Sequence, residues 1–297
     1  TVYNRTNSVM DNGSGLLAGD QSGLPPTQPA MIVKRPNSTG VYYIFTISPT
    51  YGVRYSIVNM NVNGGLGSVI IKNTLISPSS SEKLGVTYHA NGRDIWVVTH
   101  YDSNNQYEAF LVTATGVSGG GVSSFDGSKH NSGHGDLKLS PDGSKIAMCV
   151  DFDNSFYLGD FNNSTGVVTN TVGITGMRSP HGTEFSADNT KLYVNDRSRG
   201  IIQFDLSSGN NAVALGNRIS ITNGSDVYGS LQMAPDGRIY VANNTSRFLG
   251  IIRSPNNLGF GSNFILNGLD LGNSQDGWEV TNVTLTSLAT FSGPNTV

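Results

Sequence analysis

The sequence predicts an all-β chain assembled from repeated four-stranded units. Five segments share a β-run, a tight turn and a second β-run, and they read AMIVKRPNSTGVYYIF (30–45), KLGVTYHANGRDIWVV (83–98), DLKLSPDGSKIAMCV (136–150), GTEFSADNTKLYVN (182–195) and SLQMAPDGRIYVAN (230–243). The turn anchors lie 52, 51, 46 and 48 residues apart, at Gly40, Gly92, Gly143, Asn189 and Gly237. No window of about 12 residues shows helical periodicity. A period of this length, made of short strands only, is typical of a β-propeller in which each repeat forms one blade.

Each repeat has the same order of strands. The strand before the turn comes first, the strand after it is the most apolar, and two more follow. In the second repeat these are GVTYH, DIWVVTHY, YEAFLVT and a short, weakly marked fourth strand; in the fourth they are GTEFS, KLYVND, GIIQFDL and AVALGNRIS. The turns between the first two strands form because Asp and Asn bond their own backbone and Gly or Asn accepts a positive φ.

The two ends of the chain determine the predicted blade count. NFILNG can complete the fifth blade, which leaves TVYNRT at the start and WEVTNVTLTSLATF (278–291) at the end. A closed ring pairs every edge strand, so we predict six four-stranded blades with the N- and C-terminal strands sharing one blade. Six blades give about 50 residues each, whereas the alternative of seven gives about 42. We expect residues 1–297 to form a single propeller domain, a fragment of a larger surface protein, although 278–291 could also be a linker to a further domain.

Composition narrows the classes of function. The 297 residues include 18 basic and 21 acidic ones, a net charge of −3, and no Lys/Arg cluster suggests a nucleic-acid partner. No apolar run approaches the ~20 residues needed to span a bilayer. Asn, Ser, Thr and Gly supply most of the polarity, as is frequent in secreted bacterial β-proteins. The lone Cys149 lies in the apolar run KIAMCV and is interpreted as a buried small hydrophobe.

The first hundred residues resemble a known family. TVYNRTNSVMDNGSGLL, TQPAMIVKRPNSTGVYYIFT, YSIVNMNVNGGLGSVIIKN and EKLGVTYHANGRDIWVVTH are similar to the WD40-like propeller segments of large Bacteroidota surface proteins, and LKLSPDGSKIAM continues the likeness. Those proteins are associated with type IX secretion and gliding motility, and many are adhesin-like. The resemblance implies a secreted or cell-surface location and no established catalytic motif.

Turn alignment suggests residues that ring the mouth of the central channel. His134, Pro180 and Tyr228 each lie nine residues before a turn anchor, and His181 follows Pro180. These positions lead into the innermost strands, where propellers favour ligand sites. The alternative is that they only cap and hydrate a narrow channel.

Polar loops supply a second candidate set. The connections between second and third strands carry Asp102, Asp153, Asp196 and Asn244, and Trp278 starts a later strand where its indole could stack on a sugar ring. Solvated loop tips, and a packing role for Trp278, are the alternatives. If both sets open on one face, that surface suits polar, glycan-like or peptide ligands.

Metal and catalytic motifs are weak. HNSGHGD (130–136) places two His four apart, but in a Gly/Ser-rich loop and without a third ligand, and DFDNS departs from a Ca²⁺ loop. SPHGTEFSADNTKLYVND resembles the propeller lactonase and gluconolactonase pattern, which implies His181 and Asp196 as metal ligands. We predict no catalytic residue, metal or cofactor, and a non-enzymatic adhesion or protein-interaction module whose partner is a protein or glycan on a surface. The alternative is a metal-dependent, lactonase-like hydrolase.

Overall fold

A computed structural model describes residues 1–18, 27–78, 81–102, 104–125, 127, 129–130, 133–197, 199–222, 228–243 and 246–272. Within these ranges the strands form five antiparallel sheets, and each sheet follows chain order. None of the helices in the described ranges is long and apolar enough to cross a membrane.

The first three sheets contain one repeat each. The first consists of β1 (Ala30–Lys34), β2 (Val41–Ser48), β3 (Gly52–Asn59) and β4 (Ser68–Ser77). The second consists of β5 (Leu84–Tyr88), β6 (Ile95–His100), β7 (Gln106–Thr113) and an outer strand in two pieces, β8 (Gly116–Val117) and β9 (Val122–Phe125), both paired with β7. The third consists of β10 (Leu137–Leu139), β11 (Lys145–Val150), β12 (Ser155–Asn162) and β13 (Val167–Thr175).

The last two sheets repeat this arrangement. The fourth consists of β14 (Thr183–Phe185), β15 (Lys191–Asp196), β16 (Gly200–Asp205) and β17 (Arg218–Ser220), with a short helix α1 (Asn211–Gly216) before β17. The fifth consists of β18 (Tyr228–Met233), β19 (Ile239–Asn243), β20 (Phe248–Ile252) and β21 (Phe264–Asp270). Single 3₁₀ turns occur at Asn63–Gly65 and Gly259–Ser262.

The predicted turn chemistry is present in all five sheets. Each turn anchor has a positive φ, with Gly92 at 67°, Gly143 at 69° and Asn189 at 63°. The left-handed conformation is the one that Gly and Asn adopt at least cost. The turns therefore follow directly from the residues at these positions.

The hydrophobic cores lie between neighbouring blades. One core cluster joins Phe156 of the third blade to Phe204 of the fourth, and these rings stack with centroids 5.7 Å apart. Another joins Trp96 of the second blade to Phe161 of the third. Cys149 is fully buried among them, as its apolar run predicted. The faces of one blade are thus buried only when the next blade is present.

The predicted blade count is wrong, because the described residues form five blades rather than six or seven. The turn anchors had been counted correctly, and the error lay in adding a sixth blade from the two chain ends. The start of the chain makes an isolated antiparallel bridge between Tyr3 and Val9 and a parallel bridge from Asp11 to Ser68, at the beginning of β4. It therefore extends the outer edge of the first blade. The segment 278–291 lies outside the described residues.

The fourth strand predicted at AVALGNRIS is also partly wrong. Residues Asn211–Gly216 form α1, and only Arg218–Ser220 pair with β16. The Asn210 side chain caps the helix by accepting a hydrogen bond from the Val213 amide. The Asn211 side chain donates to Asp160 and to the Asn170 carbonyl in the third blade. The helix cap at Asn210 and the contacts of Asn211 with the third blade favour the helix over the strand that the sequence pattern predicts.

Candidate functional site

The strand order brings two sets of loops to one side of the propeller. In the second blade Leu84, at the start of β5, pairs with Thr99, near the end of β6. In the third, Leu137 of β10 pairs with Met148 of β11. The starts of the innermost strands therefore lie beside the loops between second and third strands. We call this side the upper face; its described residues include 81–83, 101–102, 133–136, 151–154 and 178–182.

A buried lysine stands at the channel mouth. Lys83 lies nine residues before Gly92, the same position as His134 in the third blade. It was not among the sequence candidates, although the same count would have identified it. Its side chain is fully buried, and burial lowers the pKa of Lys83 to about 8.

The Lys83 ammonium group organises the start of the third blade. Its Nζ donates to the carbonyl oxygens of Gly133, His134 and Gly135 at 2.7, 2.7 and 3.0 Å. A cation with three carbonyl acceptors holds this irregular segment in one conformation. The position of His134 is therefore determined from the second blade.

Carboxylates surround His134. The Glu82 Oε2 atom accepts from the Thr27 amide at 2.9 Å and lies 3.4 Å from His134 Nδ1. Asp102 packs its carboxyl group against Gly133, where an added Cβ would lie 2.9 Å from Oδ2. The Asp102 Oδ1 atom is buried and has no hydrogen-bond partner within the described ranges, and burial raises the pKa of Asp102.

An exposed aromatic ring covers this cluster. Phe152 is 69% exposed, and its ring lies 4.6 Å from the His134 ring, centroid to centroid. The sequence candidates included its neighbour Asp153, which is half-buried, but not Phe152 itself. Phe152 lies in a polar loop, and the hydrophobic periodicity of a sequence does not identify a single exposed aromatic residue.

His181 lies next to this cluster. Its Nδ1 atom is 3.6 Å from Asp151 Oδ2, and the Asp151 amide donates to the His134 carbonyl at 3.2 Å. Burial alone would raise the pKa of Asp151, but its interactions with His181, Ser179 and Arg197 together outweigh this and hold the pKa below the usual range. The structure thus brings together His134, His181 and Asp102 with Glu82 and Asp151.

Asp196 stabilises a loop at the same face. Its buried carboxylate accepts from Arg199 Nη1 at 2.9 Å and from the backbone amides of Arg178 and Arg199. Tyr228 has its backbone in β18, opposite Asn243. The Tyr228 side chain, Asn244 and Trp278 lie outside the described residues. In the described ranges no three His, Cys, Asp or Glu side chains form a group that could hold a metal ion.

Polar side chains bridge the channel below this mouth. Lys138, Glu184 and Gln232 occupy the same position in three successive blades, five residues before the turn anchors. Lys138 Nζ donates to Glu184 Oε2 at 3.2 Å and to Gln232 Oε1 at 2.8 Å. These two bonds link the innermost strands of the third, fourth and fifth blades.

Comparisons with known proteins agree on the fold. No family model and no curated protein matches the chain. A functionally unknown protein from Desulfotomaculum acetoxidans DSM 771 superposes with a TM-score of 0.54 and 13% identity, over 84% of this chain and 74% of that one. A protein from Lactobacillus plantarum superposes with a TM-score of 0.53 and 14% identity, over 80% of this chain and 70% of that one. Kuenenia stuttgartiensis hydrazine synthase superposes with a TM-score of 0.51 and 12% identity, over 74% of this chain and 63% of that one. Similarity at these identities shows the fold alone. The chain is similar in fold to these proteins, and its antiparallel four-stranded sheets are the blades of a β-propeller.

Proposed function

We propose that this protein is a non-enzymatic binding module of a secreted or cell-surface bacterial protein, with its ligand on the upper face. The observation that carries the proposal is the exposed Phe152 ring packed on His134. An exposed aromatic side chain held in place by a neighbouring ring loses little entropy on binding a partner. Lys83 supports this arrangement from beneath through its three carbonyl contacts.

The chemistry of the rim favours a glycan as the ligand. Phe152 offers a flat apolar surface on which a sugar ring can stack. The half-buried carboxyl groups of Asp102 and Asp153 lie beside it and offer acceptors for hydroxyl groups. Oxygen acceptors beside a flat apolar ring suit a neutral, hydroxyl-rich glycan, which is the ligand we propose.

The sequence resemblance supports the proposed location. Residues 1–100 resemble propeller segments of Bacteroidota surface proteins linked to type IX secretion and gliding motility. An adhesin-like role follows from that resemblance together with a rim suited to glycans. Cell fractionation with an antibody to the native protein tests the location.

Binding of the purified protein to a glycan array and to whole bacterial cells tests the function. We expect Phe152→Ala to weaken binding about tenfold or more, because a stacked aromatic anchor is worth about 1–3 kcal/mol. Phe260→Ala is the matched control, since Phe260 is also 69% exposed but lies in the 3₁₀ turn before β21. If a folded Phe152→Ala, Asp102→Asn double variant binds as well as the original protein, the ligand does not bind at the upper face.

A metal-dependent hydrolase is the second candidate, and the His181–Asp151 pair at the rim favours it. The sequence pattern had named Asp196 as the partner, and in the structure the Asp196 carboxylate binds Arg199. Thermal melting with Ca²⁺, Zn²⁺ and EDTA separates the two candidates. Stabilisation by a metal that His181→Ala abolishes would favour the hydrolase, and melting that none of these additions changes would favour the binding module.

A further inference from the structure

A pocket of about 350 Å³ lies on the side of the propeller opposite the upper face. It opens between the turn of the first blade, residues 34–39, and the turn of the second blade, around Gly92 and Arg93. The turns that join first and second strands are at the far end of the innermost strands from the upper face. The pocket is thus separate from the rim of the proposed function, and its volume is in the range of known ligand sites.

The mouth of the pocket is cationic. Lys34, Arg35 and Arg93 line it, and the pocket lining includes no acidic residue. Arg93 pairs with Asp94 at 3.3 Å, whereas no carboxylate in the described ranges forms an ion pair with Lys34 or Arg35. Among the described residues these two positive charges therefore have no carboxylate partner, in a chain whose net charge is −3.

The Arg35 guanidinium is held in a fixed orientation. Its Nε and Nη2 atoms donate to the Ala114 carbonyl of the second blade at 2.9 and 2.7 Å. A hydrogen bond from Ser38 Oγ to the Arg35 carbonyl closes the turn that follows, and Gly40 supplies its positive φ of 74°. Because the Arg35 side chain is already ordered, ligand binding does not carry the entropic cost of ordering that side chain.

Aliphatic side chains form the walls. Val33 and Val86 are buried at the base, and Ile32, which is 38% exposed, and Ile95 contribute to the sides. An inorganic anion would meet the cations but leave these walls unused. Five polar residues of the first turn and of β5 also line the pocket, but a neutral glycan would leave the charges of Lys34 and Arg35 unopposed.

We propose that this pocket binds an extended acidic peptide of a partner protein, with aliphatic side chains against the walls and carboxylates at Lys34 and Arg35. Alternation along an extended strand presents apolar and acidic side chains on opposite sides, which matches a groove with an apolar base and a cationic mouth. With its Nε hydrogen and one Nη2 hydrogen bonded to Ala114, Arg35 keeps its Nη1 hydrogens and the second Nη2 hydrogen for a carboxylate, and Lys34 adds a second charge. The module would then contact two different partners through its two faces.

Fluorescence polarisation with labelled peptides of alternating Glu and Leu tests the proposal, alongside peptides of alternating Gln and Leu. We expect the acidic peptide to bind more tightly, and Lys34→Glu to raise its Kd about tenfold or more, because a like-charge contact opposes the ligand. Ile32→Ser should raise the Kd as well. Lys129→Glu makes the same charge change on an exposed lysine outside the pocket and should have no effect beyond that of net charge.

Three results would overturn the proposal: equal affinity for the acidic and the neutral peptide, binding that Lys34→Glu and Ile32→Ser leave unchanged, or complete competition by inorganic phosphate at low concentration. The last would identify a simple anion site. Glycan binding by the Lys34→Glu variant should stay intact, so failure here is distinguishable from failure at the upper face.

Discussion

The imidazole rings of His100 and His130 face each other with centroids 5.0 Å apart, between the second and third blades. Both residues are almost fully buried, at 1% and 2% exposure. His100 also packs edge-on to Tyr107, and His130 lies 4.3 Å from the Tyr157 ring. Within the described residues neither His100 Nε2 nor His130 Nδ1 has a hydrogen-bond partner. Two neutral imidazoles fit this space, and two imidazolium ions do not.

Acid should therefore destabilise the protein through this pair. Burial lowers the pKa of His130 from 6.5 to about 4 and that of His100 well below its usual value, with Lys83 adding to both effects and Asp153 opposing the effect on His130. The unfolded chain binds protons below pH 6.5 while the folded chain does not, so stability falls as the pH drops from 6.5 to about 4. For His130 alone the free energy of unfolding falls by about 3 kcal/mol over this pH range.

Urea unfolding at about pH 7 and about pH 4.5 measures this effect. His130→Phe should reduce the difference in unfolding free energy between the two pH values, because Phe has no proton to gain. His89→Asn, at a half-buried histidine in the turn of the second blade, is the comparison variant. An undiminished difference in His130→Phe would assign the acid sensitivity to other groups.

Lys83→Met should lower the free energy of unfolding by about 2–4 kcal/mol. Methionine fills much of the same volume but leaves the carbonyls of Gly133, His134 and Gly135 without their donor. Lys72→Met is the comparison, because Lys72 Nζ also makes two hydrogen bonds but is exposed to solvent. Equal losses in the two variants would show that the buried ammonium has no special structural role.

Gly182→Ala should destabilise the contact between the fourth and fifth blades by about 1–3 kcal/mol. A Cβ there would lie 2.4 Å from the Gly229 carbonyl oxygen and 2.7 Å from Ser230 Cα, and backbone atoms cannot move aside easily. Gly216→Ala, at the end of α1, meets nothing within 4 Å and should be neutral or slightly stabilising. Thermal unfolding of the two variants compares them, and a stable Gly182→Ala would contradict such close packing.

Asp102→Asn should weaken ligand binding at the upper face without loss of stability. Burial raises the pKa of Asp102, so the folded state disfavours its charge, and the neutral amide removes that cost. Parallel measurement of melting temperature and glycan binding checks both effects. A large drop in melting temperature would instead make Asp102 a structural residue.

Several features of the site could be predicted from particular residues. Counting back from the turn anchors identified His134 and placed His181 beside it, because each innermost strand starts a fixed distance before its turn. The same count from Gly92 indicates Lys83, but its burial and its three carbonyl contacts depend on the third blade. Phe152 could not be recognised, since only its contact with His134 distinguishes it from any loop residue.

The sequence by itself determined the repeat, the strand order within a blade and the turns, because alternation, Asx chemistry and positive φ at Gly or Asn are local properties. Only the tertiary structure decided the number of blades, the helix at Asn211–Gly216 and the position of the chain start along β4. These depend on contacts between residues far apart in sequence, such as Asn211 with Asp160 and Asp11 with Ser68. The free energy of such contacts outweighs the local preferences that a sequence pattern reports.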